Sequence, residues 1–314
     1  MTNATTTQSI PYCYDEETYG RIIMTGRDSA ALLQRLTTND VLALQPNQGL
    51  QTVLTTPIGR IIDLLHVVKM GDALWVLTSP GQGPAVYSHL KKNIFFNDHI
   101  TLTPAARSHR QVALYGVGAT AFIAQLSGYD VSMVAQWHAT GFDVAGADVL
   151  ATAIAPLAGG GWRLLIPVAG VAACGLAGLP TLSDSMLNQW QVEAALPAYG
   201  HELSTDFIPL EAGLEQAISF KKGCYVGQEI IARMESRGRR AKQLSRVRLT
   251  ALVATPAALT TDAGRDAGVV TRVVDSPRYG IIGLAYLKTQ IDASEPLCVG
   301  EVTVQRCDDA WQGV

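Results

Sequence analysis

The sequence predicts an α+β protein that ends in a small all-β region, and three observations predict it. A strand-turn-helix unit occurs twice, a period-two meander follows its first occurrence, and short strand-like runs separated by Gly, Pro and Asp fill the chain after Leu244. Strands that run on into strands, with helices packed on them, describe α+β rather than a doubly wound sheet. Neither a glycine-rich dinucleotide fingerprint nor a P-loop is present.

The first unit is a strand over 21–25, then Gly26, then a helix capped by Asp28 that carries Leu32, Leu33 and Leu36 at helical spacing. The second is a strand from 112, then Gly116 and Gly118, then a helix with Phe122, Ile123 and Leu126. Duplication and two ordinary βα units sharing the same physics account for this equally well. Residues 50–55, a Pro57-Ile58-Gly59-Arg60 turn, 61–69, a Gly71-Asp72 turn and 73–78 alternate as an antiparallel meander, and 82–93 reads as helix. Residues 164–182 carry no charge, but Pro167, Gly170, Gly175, Gly178 and Pro180 predict a buried strand and a short core helix rather than a membrane span. A helix over 186–194, capped by Ser183 or Asp184, stops before Pro197, and 206–220 is a turn leading to a short helix. Runs at 247–249, 268–274, 280–287 and 301–304 predict a small barrel or sandwich. The domain boundary is placed near 243, giving residues 1–243 and 244–314.

With 314 residues, 48% apolar and 16% charged, the chain exceeds one minimal core and is not disordered. The net charge of −3 excludes a protein that coats nucleic acid with its whole surface. That average hides nine Lys/Arg against two Asp/Glu over 221–248, a basic segment on an acidic body. The cysteine count is five, with no C-x-x-C pair, so neither a disulfide framework nor a zinc knuckle is expected and a reducing compartment is the simpler reading. MTNATTTQSI has no Arg, Lys or apolar run, so a soluble, cytoplasmic protein is expected.

The most specific string is Lys222-Gly223-Cys224-Tyr225-Val226-Gly227-Gln228-Glu229, a glycine-flanked loop feeding a helix that starts near Gly227. A thiol just ahead of a helix N-terminus, beside Lys221 and Lys222, sits where positive charge favours thiolate, which makes Cys224 the candidate reactive sulfur. The same loop suits a carboxylate or phosphate, and a buried, inert cysteine is the plain alternative. Glu193 lies on a helix that otherwise offers Leu187, Trp190 and Ala194 to a core, so its carboxylate needs an Arg or Lys partner or two N–H donors from a ligand. His66 reads as a satisfied core histidine, and His89, His99, His109 and His138 have no metal-ligand spacing. Arg237, Arg239, Arg240 and Lys242 form the densest basic run; a solvated loop is the usual meaning, and RNA or an acidic partner the alternative. No interleaved aromatics stack bases there.

These segments together resemble a known family. K-G-C-Y-V-G-Q-E, the preceding Y-G-H-E and I-P-L-E-A-G, the early L-Q-R-L-T-T-N-D-V and the G-R-I-I-D at 59–63 are similar to the YgfZ-type folate-binding proteins, relatives of the glycine-cleavage T-protein. The resemblance spans about residues 20–290. It implies a three-part fold around a central channel, the last part a small β-barrel. It implies that Glu193 grips the 2-amino and ring N–H edge of the pterin of a tetrahydrofolate, a pairing carboxylates make well. Lys221, Lys222, Gln228 and Arg233 would then face the ligand or its glutamate tail, with Tyr199 and Tyr225 as aromatic neighbours. Cys224 and Glu193 are expected to line one cavity.

Two departures bear on activity. T-proteins usually show G-G-x-x-D-D where this chain has Asp63 followed by Leu64, so one of two paired acids is absent, which counts against aminomethyl transfer. Where the family often has Arg-x-Glu-Ala-Gly, this chain has Gln191 ahead of Glu193. The resemblance to the YgfZ-type proteins, which are linked to iron–sulfur cluster assembly or repair, implies an accessory protein supporting that process. A folate-dependent one-carbon transferase using Asp63 is the alternative, and an RNA-contacting module linked to tRNA modification the minor one. One motif cysteine falls short of the usual four cluster thiolates, so no stably bound metal is expected.

Overall fold

Two sheets of matching strand order form the first half of the chain in the computed structural model, which describes residues 10–237 and 240–307. In the first, β2 (Tyr19–Thr25) turns at Gly26 into α1 (Ser29–Leu36). The meander of β3 (Gly49–Thr55), β4 (Ile61–Met70) and β5 (Ala73–Pro80) follows, then α2 (Gly83–Lys92) and β6 (Thr101–Pro104). The strand order is β3-β4-β5-β2-β6. In the second, β7 (His109–Tyr115) turns at Gly116 into α3 (Ala119–Ser127), followed by β8 (Ala139–Val144), β9 (Ala147–Leu157) and β10 (Gly160–Pro167). With β1 (Tyr12–Asp15) its order is β8-β9-β10-β7-β1. Gly26 (φ +105°) and Gly116 (φ +99°) occupy the same turn with the same left-handed backbone, which side chains disfavour.

Each sheet takes its last strand from the segment that leads into the other unit. β1 lies beside β7, with Tyr12 opposite Tyr115, and β6 lies beside β2, with Thr25 opposite Thr101. The shared order and shared turn favour duplication over two unrelated units.

The chain divides into two compact units. The first comprises residues 1–33, 41–51 and 65–183. Alternation along β7 and β10 sends Val112, Leu114, Trp162, Leu164 and Ile166 to one face, where Ile123 of α3 and Cys174 complete a buried cluster. The helix expected after β10 is instead a pair of 3-10 turns, Val168–Cys174 and Leu176–Gly178. Gly175 between them is left-handed (φ +65°), and no α-helix propagates through that density of Gly and Pro. Inside this unit Arg163 grips the buried Glu16 with two bonds of 2.5 and 2.7 Å, and Gln111 adds a third at 2.8 Å. His66 Nε2 lies 2.9 Å from the Trp137 carbonyl and Nδ1 3.5 Å from Arg163 Nη1. Both neighbours are satisfied by a neutral ring donating from Nε2. Burial first, then the Arg163 charge, push its imidazole down to about 3. His66 is a core histidine.

The second unit comprises residues 34–40, 52–64 and 184–314. Its strands β11 (Lys242–Leu249), β12 (Ala257–Thr261), β13 (Asp266–Ser276), β14 (Gly280–Lys288), β15 (Leu297–Val299) and β16 (Val302–Cys307) close as a barrel in the order β11-β14-β13-β12-β15-β16. Closure leaves no free edge, and it resolves the choice between barrel and sandwich. β12 and β15 were not expected, because five and three residues are too few to display alternation. Helix α4 (Asp184–Glu193) lays Val192 on Ile282 and Leu284 of the barrel. The short helix expected before 220 is a single 3-10 turn, Glu215–Ala217. Helix α5 (Gln228–Arg237) follows the cysteine loop. Among the described residues no helix is long and apolar enough to cross a membrane.

Candidate functional site

The cysteine loop is pinned from both sides by backbone groups far away in sequence. The Lys222 ammonium donates to the carbonyls of Thr37 and Asn39, each at 2.7 Å, and lies 5.0 Å from the centre of the Tyr225 ring. Thr38 returns two bonds: its hydroxyl donates to the Ala217 carbonyl at 2.6 Å, and its own carbonyl accepts the Ser219 N–H at 3.0 Å. On the other side the Val226 N–H donates to the Arg35 carbonyl, and the Thr55 hydroxyl donates to the Val226 carbonyl at 2.6 Å. Gly227 (φ +84°) runs so close to the turn after β3 that a Cβ there would lie 2.8 Å from the Thr56 carbonyl oxygen. Below the loop, Tyr225 and Ile231 are buried with Leu210 and Ile218.

This architecture explains why the T-T-N-D and K-G-C-Y-V-G segments occur in one chain: the first supplies the carbonyls that the second clamps. Lys222 was expected to face a ligand tail. It is instead 8% exposed, its ammonium committed to chain carbonyls, with burial pushing it down to about 8 against the opposing charge of Asp40. Cys224 is exposed at the crest of the loop and is a free thiol. Lys221 is exposed beside it, and Gln228 opens α5 half-buried. Arg233 pairs on the surface of α5 with Glu229 one turn earlier, at 2.8 Å.

Glu193 is the last residue of α4 and half-buried. Its Oε1 accepts the Ser276 hydroxyl at 2.6 Å and the Gln189 amide at 2.9 Å. The same end of α4 is held by a buried ion pair that sequence reasoning passed over. Arg272 of β13 meets Glu202 through Nη2 at 2.8 Å and Nε at 3.1 Å, and the side chains are 3% and 0% exposed. The Thr271 hydroxyl and the Ala198 N–H complete the carboxylate's shell at 2.5 and 3.0 Å. Arg272 also donates to Asn188, Gln191 and the Leu196 carbonyl, so the guanidinium ties down the end of α4. Gln191, where the resembling sequences often carry arginine, thus meets an arginine from the barrel. A lone Arg in the apolar run G-V-V-T-R-V-V was the available signal, since such a residue requires a buried partner.

The remaining candidates lie as follows. Tyr199 is half-buried against the cluster of Phe207, Leu203 and Tyr286. Asp63 of β4 has no exposed surface. Arg240 pairs with Glu215 at 2.5 Å and Lys242 lies over the Phe207 ring, so both described basic residues of that run are engaged within the chain. Arg239 and the side chain of Arg237 lie outside the described residues. Among the described residues no group of three or more His, Cys, Asp or Glu is placed to hold a metal ion.

Comparison with known proteins places this geometry. The GCVT N-terminal domain matches residues 3–222, more than two thirds of the chain. The chain belongs to the GCVT N-terminal domain family. Within reach of this family, the chain is 28% identical over 298 residues to an aminomethyltransferase of Listeria monocytogenes, covering 88% of this chain and 78% of that one. It is 27% identical over 277 residues to an aminomethyltransferase of Moorella thermoacetica, with 85% and 75% covered. A chloroplastic protein of Arabidopsis thaliana named as a transferase is 28% identical over 277 residues; the match takes in 87% of this chain but 64% of that protein's length. The crystal structure of the glycine cleavage system aminomethyltransferase T from Bartonella henselae superposes with a TM-score of 0.83 over 96% of this chain and 86% of that one. At 17% identity that likeness establishes the T-protein fold, α+β with the C-terminal barrel.

Proposed function

We propose that the protein binds a tetrahydrofolate through Glu193 and acts as a YgfZ-type accessory protein in iron–sulfur cluster assembly or repair, with Cys224 as its working thiol. The observation that carries this reading is the cysteine loop. An exposed sulfur on a loop clamped by a buried ammonium and by two threonines is presented at a constant position, which is what contact with a partner requires. Tetrahydrofolate fits the donor set: a carboxylate accepts two parallel N–H bonds, and the 2-amino and ring N–H edge of a pterin offers two. In this reading Glu193 and Cys224 line one cavity, with Tyr199, Gln228, Lys221 and Arg233 as further ligand neighbours. The five free cysteines suit a reducing compartment such as the cytoplasm. A single thiolate does not hold a cluster, so the iron–sulfur step is shared with a client protein.

Titration of tetrahydrofolate against the wild type and Glu193→Ala tests the ligand: saturable binding to the first and its loss in the second support the reading, and equal behaviour sinks it. For the thiol, a deletion strain complemented with Cys224→Ala is expected to lose iron–sulfur enzyme activity, and full activity removes the role.

A second reading, a folate-dependent one-carbon transferase, is favoured by the aminomethyltransferase relatives. It would use Asp63, whose acidic neighbour in the usual pattern is Leu64 here. Turnover of a methylene or aminomethyl donor with tetrahydrofolate, lost in Asp63→Asn, would put this reading first.

A further inference from the structure

Ser276 closes β13, and every hydrogen-bonding position of its hydroxyl is used. Its oxygen accepts the backbone N–H of Arg278 at 3.2 Å and of Tyr279 at 3.1 Å, both in the turn into β14. A hydroxyl has one proton and two lone pairs, so the proton goes to the remaining neighbour, Glu193 Oε1 at 2.6 Å. The turn therefore fixes the polarity of this bond: Ser276 donates and Glu193 accepts. The Gln189 amide, one helical turn earlier, also donates to Oε1, at 2.9 Å. Arg272, on the same strand as Ser276, ties the helix end itself through Asn188, Gln191 and Leu196. One barrel strand thus sets both the end of α4 and the rotamer of the carboxylate it carries.

A pterin edge delivers two parallel N–H donors, so a carboxylate that grips it gives up protein donors it holds without the ligand. Ser276 is anchored by two backbone bonds, whereas the Gln189 amide hangs from a side chain of the same helix. Resting on the folate reading above, we propose that Ser276 is the positioning residue that holds Glu193 in register for the pterin edge and so sets preference for ligands bearing the 2-amino group. In the same proposal the Gln189 amide keeps the place of one ligand donor and leaves when the ligand binds.

The experiment is equilibrium titration of the full chain with tetrahydrofolate and with its 2-desamino-2-methyl analogue. The wild type is expected to prefer tetrahydrofolate by about 10- to 100-fold, the worth of a hydrogen bond to a charged group. Ser276→Ala is expected to bring the two ligands within about 3-fold, most of that bond's worth being lost. Ser276→Thr, which keeps the hydroxyl, restores the preference, and Gln189→Ala binds tetrahydrofolate at least as tightly as the wild type. The ratio is read on folded protein, so a general loss of stability does not move it. If Ser276→Ala weakens both ligands in equal proportion and keeps the wild-type ratio, or if Gln189→Ala binds tetrahydrofolate more weakly, the proposal fails and the folate reading stands. A wild type without preference, or one whose preference survives Glu193→Ala, overturns both.

Discussion

Replacing Lys222 with methionine keeps the aliphatic length of the side chain and removes its ammonium, which tests whether that group holds the cysteine loop. Two charge-assisted bonds of 2.7 Å are lost, one of them to the carbonyl of Thr37, a residue with no exposed surface. Hydrogen bonds to charged groups are worth roughly 1.5–3 kcal/mol each, and burying the methionine returns part of the loss. A net cost of about 3 kcal/mol follows, lowering the thermal midpoint by about 4–5 °C for a chain of this size. Lys222→Arg is expected to rescue little, because a planar fork does not replace a compact charge between two carbonyls. Urea unfolding supplies the free energy, and the rate of alkylation of Cys224 reports the loop directly. There is also a signature in pH. The folded ammonium titrates near 8 and the unfolded one near 10.5, so between those values the unfolded chain binds more protons and stability rises with pH. The Met variant lacks that rise. A loss below about 1 kcal/mol with unchanged alkylation would refute the clamp, since two charge-assisted bonds, one of them buried, are not lost at so little cost.

Other perturbations follow from the same geometry. His66 titrates near 3 when folded and near 6.5 when unfolded, so its contribution is complete above 6.5 and is lost as pH falls toward 3. Acid unfolding monitored by circular dichroism should therefore shift to lower pH in His66→Gln, and an unshifted midpoint contradicts the assignment. Glu202→Ala leaves the Arg272 guanidinium buried without its carboxylate and is expected to cost about 3–5 kcal/mol in urea; a cost below 1 kcal/mol would mean that water reaches the pair. Gly227→Ala places a Cβ 2.8 Å from the Thr56 carbonyl oxygen on a left-handed backbone, at a cost of at least about 1–2 kcal/mol. Equal stability of that variant and the wild type would show that the loop moves away freely.

Local physics made the meander, the two glycine turns and the entry into α5 legible in the sequence, because alternation, glycine and short-range spacing act within a few residues. The same holds for the cysteine motif, whose flanking glycines mark a loop wherever it lies. The exchange of β1 and β6 between sheets was not legible, since neither four-residue strand carries a pattern that names its partner.

The amino-acid sequence by itself determined which residues could act: a thiol between glycines, a carboxylate on an apolar helix, an ammonium beside the thiol. Only the tertiary structure decided what each one does. It turned Lys222 inward to carbonyls more than 180 positions away, joined Glu202 to Arg272 across 70, and aimed the Ser276 proton at Glu193 across 83. The physical reason is that a backbone carbonyl is the same acceptor at every residue, and a hydroxyl's polarity depends on who surrounds it. Neither leaves a mark in the order of amino acids.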